Sequence, residues 1–126
     1  MNDNSLQFMV YKLFQFHNLQ KYANIKLDTL VNFTREMALG YFKENPFHNV
    51  VHILDSLQGL HYMLKTGNMK KFLKRQDNLA VFIACLVHDY EHPGYSNQFV
   101  IRTKHPLAIR YSDKSVLENH HLAAAF

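Results

Sequence analysis

The sequence of 126 residues predicts a single all-α domain, and three observations carry this prediction. Only 4 glycines and 3 prolines interrupt the chain, so few positions favour a turn or a break. Apolar residues recur mostly three or four positions apart, which is the spacing of one face of a helix. Hydrophobic residues make up 48% of the chain and charged residues 19%, which is typical of a packed globular domain.

Two helices are predicted before the break at "KENP". The first follows a cap at Asn4 or Ser5, because both side chains can accept a hydrogen bond from the first helical turn. The second covers residues 26–41. Its expected core positions are Leu27, Leu30, Val31, Thr34, Met37, Ala38 and Tyr41.

The stretch "PFHNVVHILDSLQGLHYMLKTG" predicts a third helix, with Asn45 as its cap and Pro46 in its first turn. His48, His52 and Asp55 are spaced by four and three positions, so they are expected to project from roughly one face. Two imidazoles at this spacing can share a metal ion, or one can bind while the other acts as an acid or base. Hydrogen-bonded or surface histidines are the alternative, because the chain has 9 of them.

A fourth helix, opened by Asp77 or Asn78, is apolar nearly all round and is expected to be buried on every side. It ends in His88 and Asp89, which places an imidazole and a carboxylate at the edge of the core. An unpaired charge there is costly, and a bound metal would relieve that cost. His92 follows a turn later, and the break at "HPG" lets the chain fold back toward the same pocket.

Shorter helices are predicted over residues 96–102 and 106–111. A last helix is predicted from Ser112 or Asp113 to Phe126. No glycine, proline or basic residue ends this last helix, so the chain is expected to stop inside it.

Charge and cysteine content narrow the functional classes. The net charge is +4, but the 14 basic residues are dispersed, so nucleic acid is not expected as a partner. Their one mild cluster is interpreted as a solvated helix face and comprises Lys70, Lys71, Lys74 and Arg75. Cys85 is the only cysteine, and no apolar run approaches the ~18 residues of a membrane span. These features predict an intracellular, cytoplasmic protein without a membrane span.

Three motifs give the chain a family resemblance: "NPFHNVVHILDSLQ", "HDYEHPGYSNQF" and "YSDKSVLENHH". In this order they resemble the catalytic domain of class I cyclic nucleotide phosphodiesterases, within the HD metal-dependent phosphohydrolase superfamily. The resemblance implies a multi-helix domain that hydrolyses the cyclic phosphodiester of cAMP or cGMP to the 5′-monophosphate. It is dense from about Asn45 onward and is limited to a helical apolar pattern before that point.

The resemblance also implies roles for particular residues. His48 matches the general acid that protonates the leaving 3′ oxygen. The ligands of a tightly bound metal, usually zinc, are matched by His52, His88 and Asp89. Asp89 also matches the bridge to a second metal, usually magnesium and otherwise manganese.

Supporting positions follow from the same motifs. His92 and Glu118 match residues that hydrogen-bond the waters around the metals, and Asn49 and Asp55 match supporting motif positions. Phe47 replaces the commoner tyrosine, and Glu91 stands where many members have aspartate. Neither difference changes a metal ligand.

Some family features are expected to lie beyond residue 126, namely a fourth ligand, an aspartate, and the glutamine and aromatic residue that hold the purine. Residues 1–126 are therefore interpreted as one partial catalytic domain, its amino-terminal and middle helices, lacking the carboxyl-terminal part. Two hypotheses stay open: the parent protein is a hydrolase of cyclic nucleotides, or the chain is an inactive helical module that binds a metal or a partner. Exposed faces of a partial domain predict self-association. The preference between cAMP and cGMP is not predicted.

Overall fold

The computed structural model describes residues 4–126, and within that range every regular element is helical. The α-helices are α1 (Ser5–Phe16), α2 (Leu19–Tyr22), α3 (Leu27–Leu39), α4 (Val50–Lys65), α5 (Arg75–Val87), α6 (Asn97–Arg102), α7 (Pro106–Arg110) and α8 (Val116–Ala125). A short 3₁₀ helix covers Met69–Phe72. The all-α prediction is confirmed. Over the same range, no helix combines the length and the hydropathy that crossing a bilayer requires.

The first predicted helix is confirmed as α1, with Asn4 at its N-cap position. Its buried residues are Leu6, Val10, Leu13 and Phe14, spaced for a single apolar face. The Phe14 ring meets the Phe82 ring of α5 edge to face, with 6.1 Å between centroids. Helix α1 therefore covers the centre of the core through one face.

The second predicted helix is confirmed as α3, but only part of its predicted face is buried. Leu30, Thr34 and Met37 are buried, whereas Leu27 and Val31 are 47% and 39% exposed. Helix α3 packs against α1 along one narrow stripe, and residues 27 and 31 lie beside that stripe. The four-residue helix α2 was not predicted, because so short an element has too few residues for a periodic pattern.

The predicted start of the third helix is wrong. Helix α4 begins at Val50, and its cap is Asn49, whose side-chain oxygen accepts a 2.9 Å hydrogen bond from the Val51 N–H. Residues 45–48 form a turn before it. Asn45 is not a cap, since its amide donates to the carbonyl oxygens of His48 at 3.2 Å and His92 at 2.7 Å. The turn is therefore tied to the distant segment around residue 92.

Helices α4 and α5 form an antiparallel pair, because the start of α4 meets the end of α5. Burial of α5 on every side was predicted and is wrong: Phe82, Leu86 and Val87 are buried, but the small residues Ala80 and Ala84 are exposed. The pair is nevertheless the central support of the fold. It brings residues near 52 and near 88 to the same end of the molecule.

The helices after residue 96 build a second, smaller core from Val100, Ala108, Val116 and Leu117. Helices α6 and α7 were predicted almost to the residue. Helix α8 begins at Val116, later than predicted, because Ser112, Asp113 and Ser115 have φ of 52°, 60° and 41°. Such left-handed residues interrupt a helix. Helix α8 then packs against α5 and carries its polar residues toward the end of that helix.

Two glycines provide a matched stability test. A methyl group on Gly40 would overlap the Tyr90 ring, whereas one on Gly59, in the exposed middle of α4, would meet nothing within 4 Å. We expect Gly40→Ala to lower the free energy of unfolding by about 1–3 kcal/mol through overpacking. Gly59→Ala should raise it by about 0.5–1 kcal/mol, since alanine favours a helix. Urea denaturation of both variants measures the difference, and equal effects would contradict this packing.

The buried His17 makes stability sensitive to acid. Burial, the nearby His61 and the charge of Lys70 lower the pKa of His17 to about 4 from 6.5. The unfolded chain therefore binds more protons between these values, so the free energy of unfolding should fall as the pH drops from 6.5 to 4. The loss due to this group is at most about 3 kcal/mol. Denaturation across this range should show a shallower loss for His17→Gln; an unchanged slope would disprove the assignment.

Candidate metal centre

Three side chains meet where α4 begins and α5 ends. The Asp89 Oδ2 atom lies 3.1 Å from His52 Nε2 and 3.2 Å from His88 Nε2, and the two nitrogens are 3.1 Å apart. Ligands about 2.0–2.1 Å from a tetrahedral zinc ion are separated by about 3.3 Å, so this triangle has the size of one face of such a site. Residues His52, His88 and Asp89 thus form the one group of this kind found within residues 4–126.

The orientation of His88 is fixed by the helix that precedes it. Its Nδ1 lies 2.9 Å from the Cys85 carbonyl oxygen, which can only accept, so Nδ1 carries the proton. When the ring is neutral, as a metal ligand must be, the lone pair of Nε2 is directed at the triangle, and when the ring is protonated Nε2 donates to Asp89. A backbone hydrogen bond of this kind orients a histidine for metal binding.

Asp89 is ionised in this setting. Burial is the largest single influence and by itself would raise the pKa of its carboxyl, but the hydrogen bond with His88 and the charge of His88 act against it. With further contributions from His48 and His121, the pKa is lowered to about 2. The same contact with Asp89 raises the pKa of His88. The centre therefore offers a permanent negative charge to a cation.

His48 overlooks the triangle from the turn before α4. Its Nε2 is 4.0 Å from Asp89 Oδ2, and its ring stacks on His92 with 3.7 Å between centroids. Phe47 is exposed, and its ring packs against His48 and His52 at 5.0 and 4.7 Å. The structure thus brings His48 to the cluster through a turn and not through the helical spacing that the sequence predicted.

His92 is buried beside His48. The Gly94 N–H donates to its Nδ1 at 3.0 Å, so the neutral ring carries its proton on Nε2. Burial and the neighbouring His48 lower the pKa of His92 to about 4, and the ring is neutral at pH 7. The family resemblance placed His92 among groups that hydrogen-bond water, and its Nε2–H is a donor available for that purpose.

The remaining supporting residues lie in different surroundings. Asn49 caps α4, and its amide donates to the Asn45 carbonyl at 2.8 Å, so it stabilises the turn that holds His48. Glu118 is exposed on α8 and accepts two 3.0 Å hydrogen bonds from the Asn97 amide, which lower its pKa. Asp55 is exposed and is not part of the triangle.

Two residues at the centre received no specific role from the sequence. The Tyr41 hydroxyl donates to the Leu86 carbonyl at 2.9 Å and accepts from the Asp89 N–H at 3.3 Å. His121 is buried, with Nδ1 2.6 Å from the Tyr90 carbonyl and Nε2 3.9 Å from Asp89 Oδ1. Tyr41 was expected only as a core residue. The doublet "HH" in the third motif was the one signal for His121.

Glu91 joins this region to α8. Its carboxylate lies 3.0 Å from His120 Nε2, and its N–H donates to the Gly40 carbonyl at 2.9 Å. Its φ of 56° is left-handed, which lets the chain reverse after α5. The Glu91 side chain therefore contacts α8 through His120.

The donor set suits a divalent cation of the first transition row. Two imidazole nitrogens and one carboxylate are the ligands that zinc accepts, and a carboxylate can bridge to a harder ion such as magnesium. Each donor is already oriented, and the carboxylate is ionised. The residues present therefore fit a metal.

Fold and site define an all-α protein with a centre of two histidines and one aspartate that can hold a metal. Residues 47–126 match the family described as 3'5'-cyclic nucleotide phosphodiesterase. This match covers more than half of the chain, and the chain belongs to that family. The resemblance read from the three motifs is confirmed.

Curated relatives match almost the whole chain. The human dual specificity calcium/calmodulin-dependent 3',5'-cyclic nucleotide phosphodiesterase 1C is 39% identical over 125 residues, which are 98% of this chain and 18% of the relative. The 3',5'-cyclic-AMP phosphodiesterase 4 of Dictyostelium discoideum is 40% identical over 123 residues, 98% of this chain and 12% of that protein. The chain therefore spans less than a fifth of the length of these relatives.

Solved structures agree with this relationship. The phosphodiesterase domain of the rhodopsin phosphodiesterase of Salpingoeca rosetta superposes with a TM-score of 0.93 at 35% identity. The superposition covers 100% of this chain and 38% of that one. The helices described above are thus arranged as in part of a phosphodiesterase domain.

Proposed function

We propose that the protein containing this chain hydrolyses the cyclic phosphodiester bond of a cyclic nucleotide in a metal-dependent reaction. The observation that carries the proposal is the convergence of His52, His88 and Asp89 within 4.8 Å of one another at the junction of two helices. Membership of the 3'5'-cyclic nucleotide phosphodiesterase family gives the substrate class. The product would be the 5′-monophosphate.

His52, His88 and Asp89 are proposed as ligands of a first divalent metal, zinc, with Asp89 bridging to a second, magnesium or manganese. When bound, such cations supply positive charge to the phosphoryl group and acidify a water molecule. The protein's part is to hold three donors in a fixed triangle with an ionised carboxylate in it. Fixed donors need little reorganisation during the reaction.

His48 is proposed as the general acid that gives a proton to the leaving 3′ oxygen. It lies beside the triangle without belonging to it, with its Nε2 4.0 Å from the Asp89 carboxylate. Stacking on the neutral ring of His92 limits its rotation. A group near the metal but free of it can carry a proton, which a metal ligand cannot.

Outer residues are proposed to hold water and position these groups. His92 would donate a hydrogen bond to water from Nε2. Glu118, which is exposed and already accepts from Asn97, would accept a hydrogen bond from water. Asn49 supports the turn that carries His48. A supporting role for Asp55 stays a prediction from the motif.

Substrate preference and location are proposed only broadly. One curated relative has dual specificity in its name and another is a cyclic-AMP enzyme, so both cAMP and cGMP are candidate substrates. Cys85 is a free thiol, and burial raises its pKa to about 11. An intracellular, cytoplasmic location fits both a free thiol and a cyclic nucleotide substrate.

A second proposal is that this chain by itself binds a metal or a partner without turnover. Two features favour it: the group found within residues 4–126 supplies three ligands, and several large apolar side chains are exposed, among them Leu39, Phe47 and Ile109. Self-association through such residues is part of this proposal, and light scattering against concentration tests it. Zinc binding without hydrolysis would favour this reading.

Removing the shared carboxylate should abolish tight metal binding. We expect Asp89→Asn to weaken zinc binding by at least about 100-fold, because the centre loses its only charged donor. Asp28→Asn is the matched control, since Asp28 is exposed at the start of α3 and lies outside the triangle. Calorimetric titration with zinc separates the two variants. Equal affinities would refute the assignment of the centre.

The acid role of His48 predicts loss of hydrolysis without loss of metal. We expect His48→Gln to lower turnover of cAMP or cGMP by about 10²–10⁴-fold, the range for a lost general acid, with zinc affinity nearly unchanged. His105→Asn is the control, because asparagine preserves the cap that His105 provides to α7. Chromatography of the 5′-monophosphate measures the rates. Full activity in His48→Gln would exclude the role.

A further inference from the structure

The end of the α4–α5 pair that lies away from the metal centre carries a basic surface with a protruding aromatic ring. We call it the basic end surface, and its residues are Lys65, Lys70, Lys71, Phe72, Lys74 and Arg75. It comprises the end of α4, the 3₁₀ helix and the start of α5. The sequence suggested a solvated helix face for four of these residues, but the structure distributes those four over the 3₁₀ helix and the start of α5.

The basic end surface carries almost no compensating negative charge. Residues 56–88 contain five lysine or arginine residues and a single acidic one, Asp77. The Asp77 carboxylate accepts a 2.8 Å hydrogen bond from the Lys74 N–H and so caps the start of α5. Within the part of the chain that the structure describes, none of the five cations forms an ion pair. The five positive charges are therefore not neutralised by an ion pair within the described chain and can attract an anionic partner.

Phe72 lies between Lys71 and Lys74 in the chain and is 77% exposed. The Lys71 ammonium lies 5.1 Å from its ring centroid, so charge and ring share one surface. Tyr62 and Met69, nearby in the chain, are also exposed. A soluble polyanion would satisfy the lysines but would leave the ring in water, whereas the headgroup region of an anionic bilayer accommodates both.

We propose that the basic end surface docks onto membranes that contain anionic lipids, with Phe72 entering the headgroup region. Charge complementarity and the exposed ring support a bilayer as the partner. The geometry keeps the metal centre accessible, because α4 has 16 residues and so separates the two ends by about 24 Å at 1.5 Å per residue. The proposal does not depend on the reaction at the metal centre.

A single tryptophan reports insertion directly, because the chain contains none. We expect the fluorescence of Phe72→Trp to shift to the blue on vesicles of phosphatidylcholine with about 30% phosphatidylserine, but not on phosphatidylcholine alone. Phe8→Trp is the matched control, since Phe8 is 64% exposed at the start of α1 and lies outside the basic end surface. A shift in the control, or none in Phe72→Trp, would overturn the proposal.

Charge variants test the electrostatic part by vesicle sedimentation. Each lysine removed from this surface should weaken the partition coefficient about fivefold, so Lys70→Gln with Lys71→Gln should lose about 25-fold, and added salt should weaken binding further. Lys104→Gln with Lys114→Gln, at two exposed lysines on either side of α7, should bind as the parent chain does. Binding to heparin as strong as to vesicles and unchanged in Phe72→Ser would identify a soluble polyanion as the partner and overturn the membrane proposal.

Discussion

An ionised carboxylate held where the buried face of a helix ends is the constraint on which this structure depends. Asp89 follows the apolar residues of α5, where water is scarce and an isolated charge is unfavourable. Its charge is tolerated because imidazoles surround it and because the Tyr41 hydroxyl fixes the adjacent backbone. The turn before α4 must place His48 near the Asp89 carboxylate, and α8 must place His121 near it. The packing of three helices is thus organised around one negative charge.

Local signals predicted most of the helices but not all of their ends. Apolar periodicity located α1 and α3, and Ser96 and Pro106 located α6 and α7. The start of α4 was missed because two asparagines compete for the cap, and only the contact from Asn45 to the His92 carbonyl decides between them. That contact joins residues 47 positions apart, so no local pattern contains it. The late start of α8 likewise depends on left-handed backbone at residues that are neither glycine nor asparagine.

The metal centre was predictable from type and order of residues, but its geometry was not. His52 stood out through its spacing from His48 and Asp55, and His88 and Asp89 stood out because they end an apolar helix. His48 was found for the wrong geometric reason, since it precedes α4 and reaches the cluster through a turn. Tyr41 and the position of His121 depend on tertiary contacts to Leu86 and Tyr90, which a sequence shows only after the fold is known. The family resemblance supplied roles that spacing alone left open.

The contact between Gly40 and the Tyr90 ring has a consequence for the way this protein can change during evolution or design. Two contacts position the segment after α5. The Glu91 N–H donates a hydrogen bond to the Gly40 carbonyl, and the Tyr90 ring packs against the Gly40 backbone. A side chain at position 40 therefore lowers stability unless position 90 becomes smaller at the same time. The two sites form a compensating pair, and a redesigned chain that enlarges one should reduce the other to keep its carboxylate in place.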